Sequence, residues 1–124
     1  MDNQLIKSHK DLVVWQRSLE LVIAIYELTG LFPKSEMYGL TIQMRLASIS
    51  IASNIAEGKR RGSRKDFRHF LLNSFGSGAE VETQIEIAKR LSFGKKLDYE
   101  QVDGLLNEVM RILNRLIFKL QPTT

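Results

Sequence analysis

The sequence predicts an all-α protein, an antiparallel up-down-up-down four-helix bundle. Four segments carry apolar residues at the three-to-four spacing of helices, and short turn-forming stretches separate them. No segment shows the period-two alternation of a strand. The chain has 124 residues, of which 44% are hydrophobic, and this fits one domain around one core. We expect a flexible arm at 1–10, the bundle domain at 11–120 and a frayed tail at 121–124.

The first helix is predicted to run from Leu12 to Thr29. Asp11 is a plausible N-cap, because its short side chain can accept a hydrogen bond from a free backbone N–H. Gly30 follows the last apolar residue, and Pro33 prevents the helix from continuing. A turn is therefore expected at 30–33.

The second helix is predicted to begin near Ser35 or Glu36 and to reach Glu57, where Gly58 can stop it. Its apolar residues form two stripes on opposite sides. One stripe contains Leu40, Met44, Ala47, Ile51 and Ile55, and the other contains Ile42, Leu46, Ile49 and Ala56. A helix with two apolar sides must be covered on both. A second copy of the chain is the simplest cover, and a neighbouring helix of the same subunit is the alternative.

The third and fourth helices have clear starting signals. Ser63 with Asp66 approximates a capping box, and one apolar phase then continues to Leu91, so we expect an unbroken helix across the glycines at 76 and 78. Asp98 with Gln101 forms the capping box of the fourth helix, which is predicted to end near 120.

The excess positive charge is concentrated in one segment. Residues 59–68 carry six cations and one acid, a net charge of +5, whereas the whole chain has a net charge of +4. The six cations are Lys59, Arg60, Arg61, Arg64, Lys65 and Arg68. They straddle the corner between the second and third helices, which suits a localised polyanion. We call this set the basic corner.

Phosphate is the ligand that fits the basic corner, because one guanidinium group can donate two parallel hydrogen bonds to the oxygens of a phosphate. A nucleic acid or other polyanion is one interpretation; a solvated loop without a ligand and a site for an acidic protein are the alternatives. Phe67 and Phe70 have the spacing of core residues, so base stacking is not predicted. Arg111, Arg115 and Lys119 form a stripe that we interpret as complementing the dipole of the fourth helix.

Catalytic chemistry is not indicated. The chain has no cysteine and two histidines, His9 and His69, and neither lies in a metal-ligand or nucleophile–base motif. We expect no catalytic residues, no metal and no cofactor. The first ten residues lack the apolar region of a secretory signal, and no apolar run is long enough for a membrane span. A cytoplasmic location without membrane contact is therefore expected.

Several short motifs resemble the four-helix bundle proteins encoded within intervening sequences of bacterial 23S ribosomal RNA. The motifs, over residues 9–120, are Leu12-Val13-Val14-Trp15, Phe32-Pro33, Glu36, Tyr38-Gly39-Leu40, Gln43, Ser53-Asn54-Ile55-Ala56-Glu57-Gly58, Gly76-Ser77, Glu80 and Glu82. The resemblance implies an antiparallel bundle that assembles as a homopentameric ring, and it implies no enzymatic site. It also implies a fold similar to that of the accessory variability protein of diversity-generating retroelements, a basic pentamer that binds nucleic acid and a reverse transcriptase.

These observations lead to two functional hypotheses. The first is a non-enzymatic, oligomeric protein that binds nucleic acid, RNA in preference to DNA, through the basic corner. The second is a structural or adaptor oligomer that recruits a protein partner such as a reverse transcriptase. In the family that the chain resembles, the stretch after the glycine is polar and variable. The assignment of these cations as ligands therefore rests on their charge alone.

Overall fold

The computed structural model describes residues 8–122, and within them every regular element is helical. Short helical turns at His9–Asp11 and Lys34–Glu36 and a π-type turn at Met37–Thr41 precede or connect the main helices. The four α-helices are α1 (Val13–Thr29), α2 (Ile42–Arg60), α3 (Arg64–Arg90) and α4 (Glu100–Lys119). The predicted all-α fold with four helices is confirmed.

The core lies between the four helices. α1 packs against α2 and α4, and α3 packs against the same two helices. The fully buried large side chains include Leu21, Ile25, Met44, Ile51, Ile55, Leu71 and Leu113. The hydroxyl of Ser74 on α3 donates to the carbonyl of Ile51 at 2.8 Å, which satisfies a polar group inside the α2–α3 contact.

The start of α1 differs from the prediction. The N-cap position belongs to Leu12, which makes no side-chain cap, so the assignment of Asp11 as N-cap is wrong. Asp11 instead ends the His9–Asp11 turn, whose N-terminus is capped by the Ser8 hydroxyl accepting from the Lys10 N–H at 3.1 Å. Of the predicted arm at 1–10, residues 1–7 lie outside the described residues.

The end of α2 also differs. The helix passes through Gly58 and ends at Arg60, so the prediction that Gly58 stops it is wrong. Gly58 is buried because α3 approaches it closely: a Cβ built there would lie 2.6 Å from the Cβ of Phe70. The chain turns at Gly62, whose φ of 84° suits a residue without a side chain.

The beginning of α2 is irregular. The carboxylate of Glu36 accepts a hydrogen bond from the Leu40 N–H at 3.3 Å, but Gly39 has non-helical backbone angles, with φ −112° and ψ −114°. Regular α-helix therefore begins only at Ile42, six or seven residues after the predicted start.

The predicted start and continuity of α3 are confirmed. The Ser63 hydroxyl accepts from the Asp66 N–H at 3.0 Å, and the helix is unbroken across both glycines. Gly78 faces the Met110 sulfur of α4, and a Cβ there would collide with it. At the start of α4, Asp98 accepts from the Glu100 N–H at 2.9 Å, but the N-cap position belongs to Tyr99, which makes no side-chain cap. The predicted capping box of Asp98 with Gln101 is therefore wrong, and the helix begins one residue later than that box implies.

The two apolar stripes of α2 have different environments. Met44, Ile51 and Ile55 of the first stripe are fully buried, whereas Leu46 and Ile49 of the second are 54% and 37% exposed. The described part of the chain therefore leaves the second stripe partly uncovered, contrary to the alternative of an intramolecular cover. No helix in residues 8–122 has the length and apolar character needed to cross a membrane.

Candidate nucleic-acid interface

The basic corner lies on two helix ends and the turn between them. Lys59 and Arg60 close α2, and Arg61 follows as its C-cap. The other three cations lie in the first two turns of α3, after the turn at Gly62. The carbonyl dipoles at the end of α2 favour the cations there.

Arg64 and Arg68 reach across to α4. Arg64 Nη2 donates to the Lys119 carbonyl at 2.6 Å, and Arg68 Nε donates to the Ile117 carbonyl at 3.1 Å. The last carbonyls of a helix have no partner within the helix, so these bonds cap the C-terminus of α4. Both arginines keep their charge and further N–H donors. They have a structural role that the sequence did not indicate.

Two cations of the basic corner lie against aromatic rings. The guanidinium of Arg61 is 5.0 Å from the centre of the Phe70 ring and also pairs with Glu57 at 2.9 Å. Lys59 Nζ is 5.5 Å from the centre of the Phe67 ring. Since Arg61 and Glu57 are both about half exposed, the ion pair contributes about 0–1 kcal/mol to stability. It nevertheless neutralises part of the charge at the corner.

Arg60 connects the corner to the N-terminal turn. Its Nε donates to Nδ1 of His9 at 3.3 Å, and the His9 ring stands edge-on to Trp15 with ring centres 4.9 Å apart. Partial desolvation, followed by the charges of Arg60 and Lys10, lowers the pKa of His9 below its usual 6.5. His9 therefore stays neutral and can accept the hydrogen bond near neutral pH.

The end of α4 adds cations to the corner that the sequence interpretation assigned only to the helix dipole. Arg115 and Lys119 are exposed one turn apart, and the Lys119 backbone is bonded to Arg64. Within residues 8–122, Lys65, Arg115 and Lys119 have no carboxylate within 4.0 Å. The spacing of the α4 stripe was visible in the sequence, but its position beside α3 depends on the fold.

The described residues hold no group of three His, Cys, Asp or Glu side chains placed to bind a metal. His69 is exposed and stands edge-on to Phe70 with ring centres 5.3 Å apart. The groups that the basic corner offers to a ligand are therefore its cationic side chains and their N–H donors.

The sequence model of the family described as 23S rRNA-intervening sequence protein matches residues 10–115. The chain belongs to this family. The match includes the basic corner and most of α4, which agrees with the resemblance seen in the short motifs.

A solved structure has the same fold as this family member. It is the crystal structure of a protein with unknown function from the S23 ribosomal protein family of Bacteroides thetaiotaomicron VPI-5482. The two chains are 26% identical, with a TM-score of 0.75 over 85% of this chain and 98% of the other. The comparison with curated proteins found no significant match.

Proposed function

We propose that this protein is a non-enzymatic, cytoplasmic homo-oligomer that binds nucleic acid, RNA in preference to DNA, through one end of its helical bundle. The observation that carries the proposal is the convergence of cations from α2, α3 and α4, joined by the bonds from Arg64 and Arg68 to α4. The preference for RNA rests on the family's name, which links it to 23S rRNA.

An up-down-up-down course of the helices accounts for this convergence. The end of α1 contacts the start of α2 through Thr29 and Arg45, and the end of α3 contacts the start of α4 through Lys89 and Asp103. These contacts fit antiparallel neighbours. In that arrangement the end of α2, the start of α3 and the end of α4 share one end of the bundle, which we call the basic end.

The cations of the basic end differ in their availability to phosphate. In the described chain Arg60 bonds only to the neutral His9, and Lys65 and Lys119 have exposed side chains without an acidic partner there. They can bind phosphate without breaking a contact that holds two helices together. Each phosphate neutralised releases counterions, so the affinity is expected to fall with salt.

A second copy of the chain is the proposed cover for the exposed stripe of α2. On α1, Leu19 and Ile23 are 37% and 61% exposed and lie four residues apart, on one side of the helix. Trp15, Leu19, Ile49 and Ala56 line a groove between the two helices. The pentameric number comes from the family resemblance. Repeating the basic end around a ring would let one nucleic acid occupy several weak sites at once, so that its overall affinity exceeds that of a single site.

The test is the binding of a 23S rRNA fragment, and of a DNA duplex of equal length, across a salt series. The double substitution Arg60→Glu/Lys65→Glu is expected to weaken RNA binding at least tenfold. It should also flatten the slope of log affinity against log salt by about two. Lys95→Glu/Lys96→Glu makes the same charge change in the exposed α3–α4 connection and serves as the control. Equal affinities of both double variants would exclude the basic end as the site.

The adaptor hypothesis is favoured by a different observation. The connection between α1 and α2 exposes three large apolar side chains, with Tyr38 94%, Leu31 67% and Met37 43% exposed. This apolar group is separated from the basic end by the length of α2, about 28 Å at 1.5 Å per residue. If the protein binds neither RNA nor DNA, recruitment of a protein through this group becomes the better proposal.

A further inference from the structure

Phe118 is an aromatic side chain in an unusual position. It lies in the last turn of α4 and is 70% exposed, although its neighbour Ile117 is buried in the core. It is on α4 and not on the apolar face of α1 and α2, so the proposed contact between copies does not require it. An aromatic ring left in water forgoes the free energy of burial.

The surroundings of Phe118 are cationic. The carbonyls of the residues on either side of it, Ile117 and Lys119, accept the hydrogen bonds from Arg68 and Arg64. On its own helix, Arg115 lies three residues earlier, a spacing that places two side chains next to each other on the helix surface. An exposed ring is thus set among charges contributed by α3 and α4.

We propose that Phe118 is a stacking platform for an unpaired base, and that the preferred ligand of the basic end is single-stranded nucleic acid. This inference rests on the proposed function. Proteins that bind single strands combine cations that follow the backbone with aromatic rings on which bases stack. Arg115 supplies a cation next to the ring on the helix surface, and Lys119 supplies another in the same turn of α4. A base inside a duplex is stacked on its neighbours and cannot lie flat on Phe118 without leaving the helix.

The aromatic residues in or beside the basic corner itself are Phe67 and Phe70, so the sequence did not connect Phe118 with the corner. Both are partly buried, and their rings contact Lys59 and Arg61 within the subunit. Phe118 is fifty residues beyond the corner in sequence and is brought to it by the packing of α4 on α3.

The experiment compares Phe118→Ala with the unsubstituted protein by fluorescence anisotropy, using a twelve-nucleotide oligouridine and an RNA duplex of equal length. Stacking on an aromatic side chain contributes about 1–3 kcal/mol per base, so we expect about tenfold weaker binding of oligouridine. Duplex binding should change less than twofold. Phe118→Tyr keeps the ring and should retain the affinity. Tyr38→Ala, which removes a more exposed ring from the connection between α1 and α2, should leave the affinity for both ligands unchanged.

A salt series separates stacking from charge. Phe118→Ala should lower the affinity without changing the slope of log affinity against log salt, whereas Lys119→Gln should flatten the slope for a single strand by about 0.7. If the unsubstituted protein binds neither ligand, the proposed function and this inference both fail. Equal loss for oligouridine and duplex, or no loss, overturns the inference and leaves the proposed function standing. A changed mass in light scattering with unchanged oligouridine affinity assigns Phe118 to a protein interface and also overturns it.

Discussion

Gly58 of α2 lies directly against Phe70 of α3, so close that a Cβ on Gly58 would be 2.6 Å from the Phe70 Cβ. The substitution Gly58→Ala therefore forces the two helices apart or displaces the ring. Overpacking of this kind costs about 1–3 kcal/mol. We expect a lower free energy of unfolding and a melting temperature several degrees lower, measured by circular dichroism at a fixed protein concentration.

The control for Gly58 is another glycine inside a helix. Gly76 of α3 has no atom within 4 Å of the position its Cβ would occupy. Gly76→Ala should stabilise the protein by about 0.4–1 kcal/mol, because alanine restricts the unfolded chain and favours the helix. The two substitutions should change the free energy of unfolding in opposite directions. Similar effects of both would contradict the close approach at Gly58.

Arg68 and Lys65 should differ in how much each contributes to the free energy of unfolding. Arg68→Gln removes a charge-assisted hydrogen bond to the end of α4 and is expected to lower the free energy of unfolding by about 1 kcal/mol. Lys65 is exposed and has no acidic partner in the described chain, so Lys65→Gln should leave stability within about 0.5 kcal/mol. Urea denaturation measures both. Equal losses would show that Lys65 also has a structural contact.

These examples show how much could be predicted from the sequence. The Ser63 cap and the continuity of α3 depend on local spacing, and both were predicted correctly. Gly58 was misjudged because a glycine at the end of an apolar helical pattern resembles a helix stop, and the close approach of α3 cannot be seen along the chain. The bonds from Arg64 to α4, and the place of Phe118 beside them, join residues about fifty positions apart and need the tertiary fold.

His9 should titrate below its usual pKa of 6.5, because partial desolvation and then the charges of Arg60 and Lys10 disfavour its cation. The unfolded chain then binds more protons than the folded one just below pH 6.5. Stability therefore falls as the pH drops from 6.5 through the folded pKa. NMR titration of the histidine ring protons measures the pKa directly, and His69→Gln identifies the His9 signal.

Arg60→Ala tests the contribution of a neighbouring charge to that shift, which is smaller than the contribution of desolvation. Removing the cation beside His9 should raise its pKa towards 6.5, whereas Arg111→Ala, a cation on α4 that is not among the causes of the shift, should leave it unchanged. A His9 pKa that does not move in Arg60→Ala would mean that the bond between the two side chains is not formed in solution.

Leu46 tests whether a second copy covers the apolar face of α1 and α2. It is 54% exposed in the single chain and lies beside Ile42 and Ile49 on the outer stripe of α2. Burying a charge in such an interface without a partner is costly, so Leu46→Glu should convert the oligomer to a 14.2 kDa monomer in light scattering. Gln101→Glu places the same charge on the exposed first turn of α4 and should keep the mass of the unsubstituted protein. If the unsubstituted protein is already monomeric at micromolar concentration, the proposed ring does not form. Without the ring, the basic end would act as a single site without avidity.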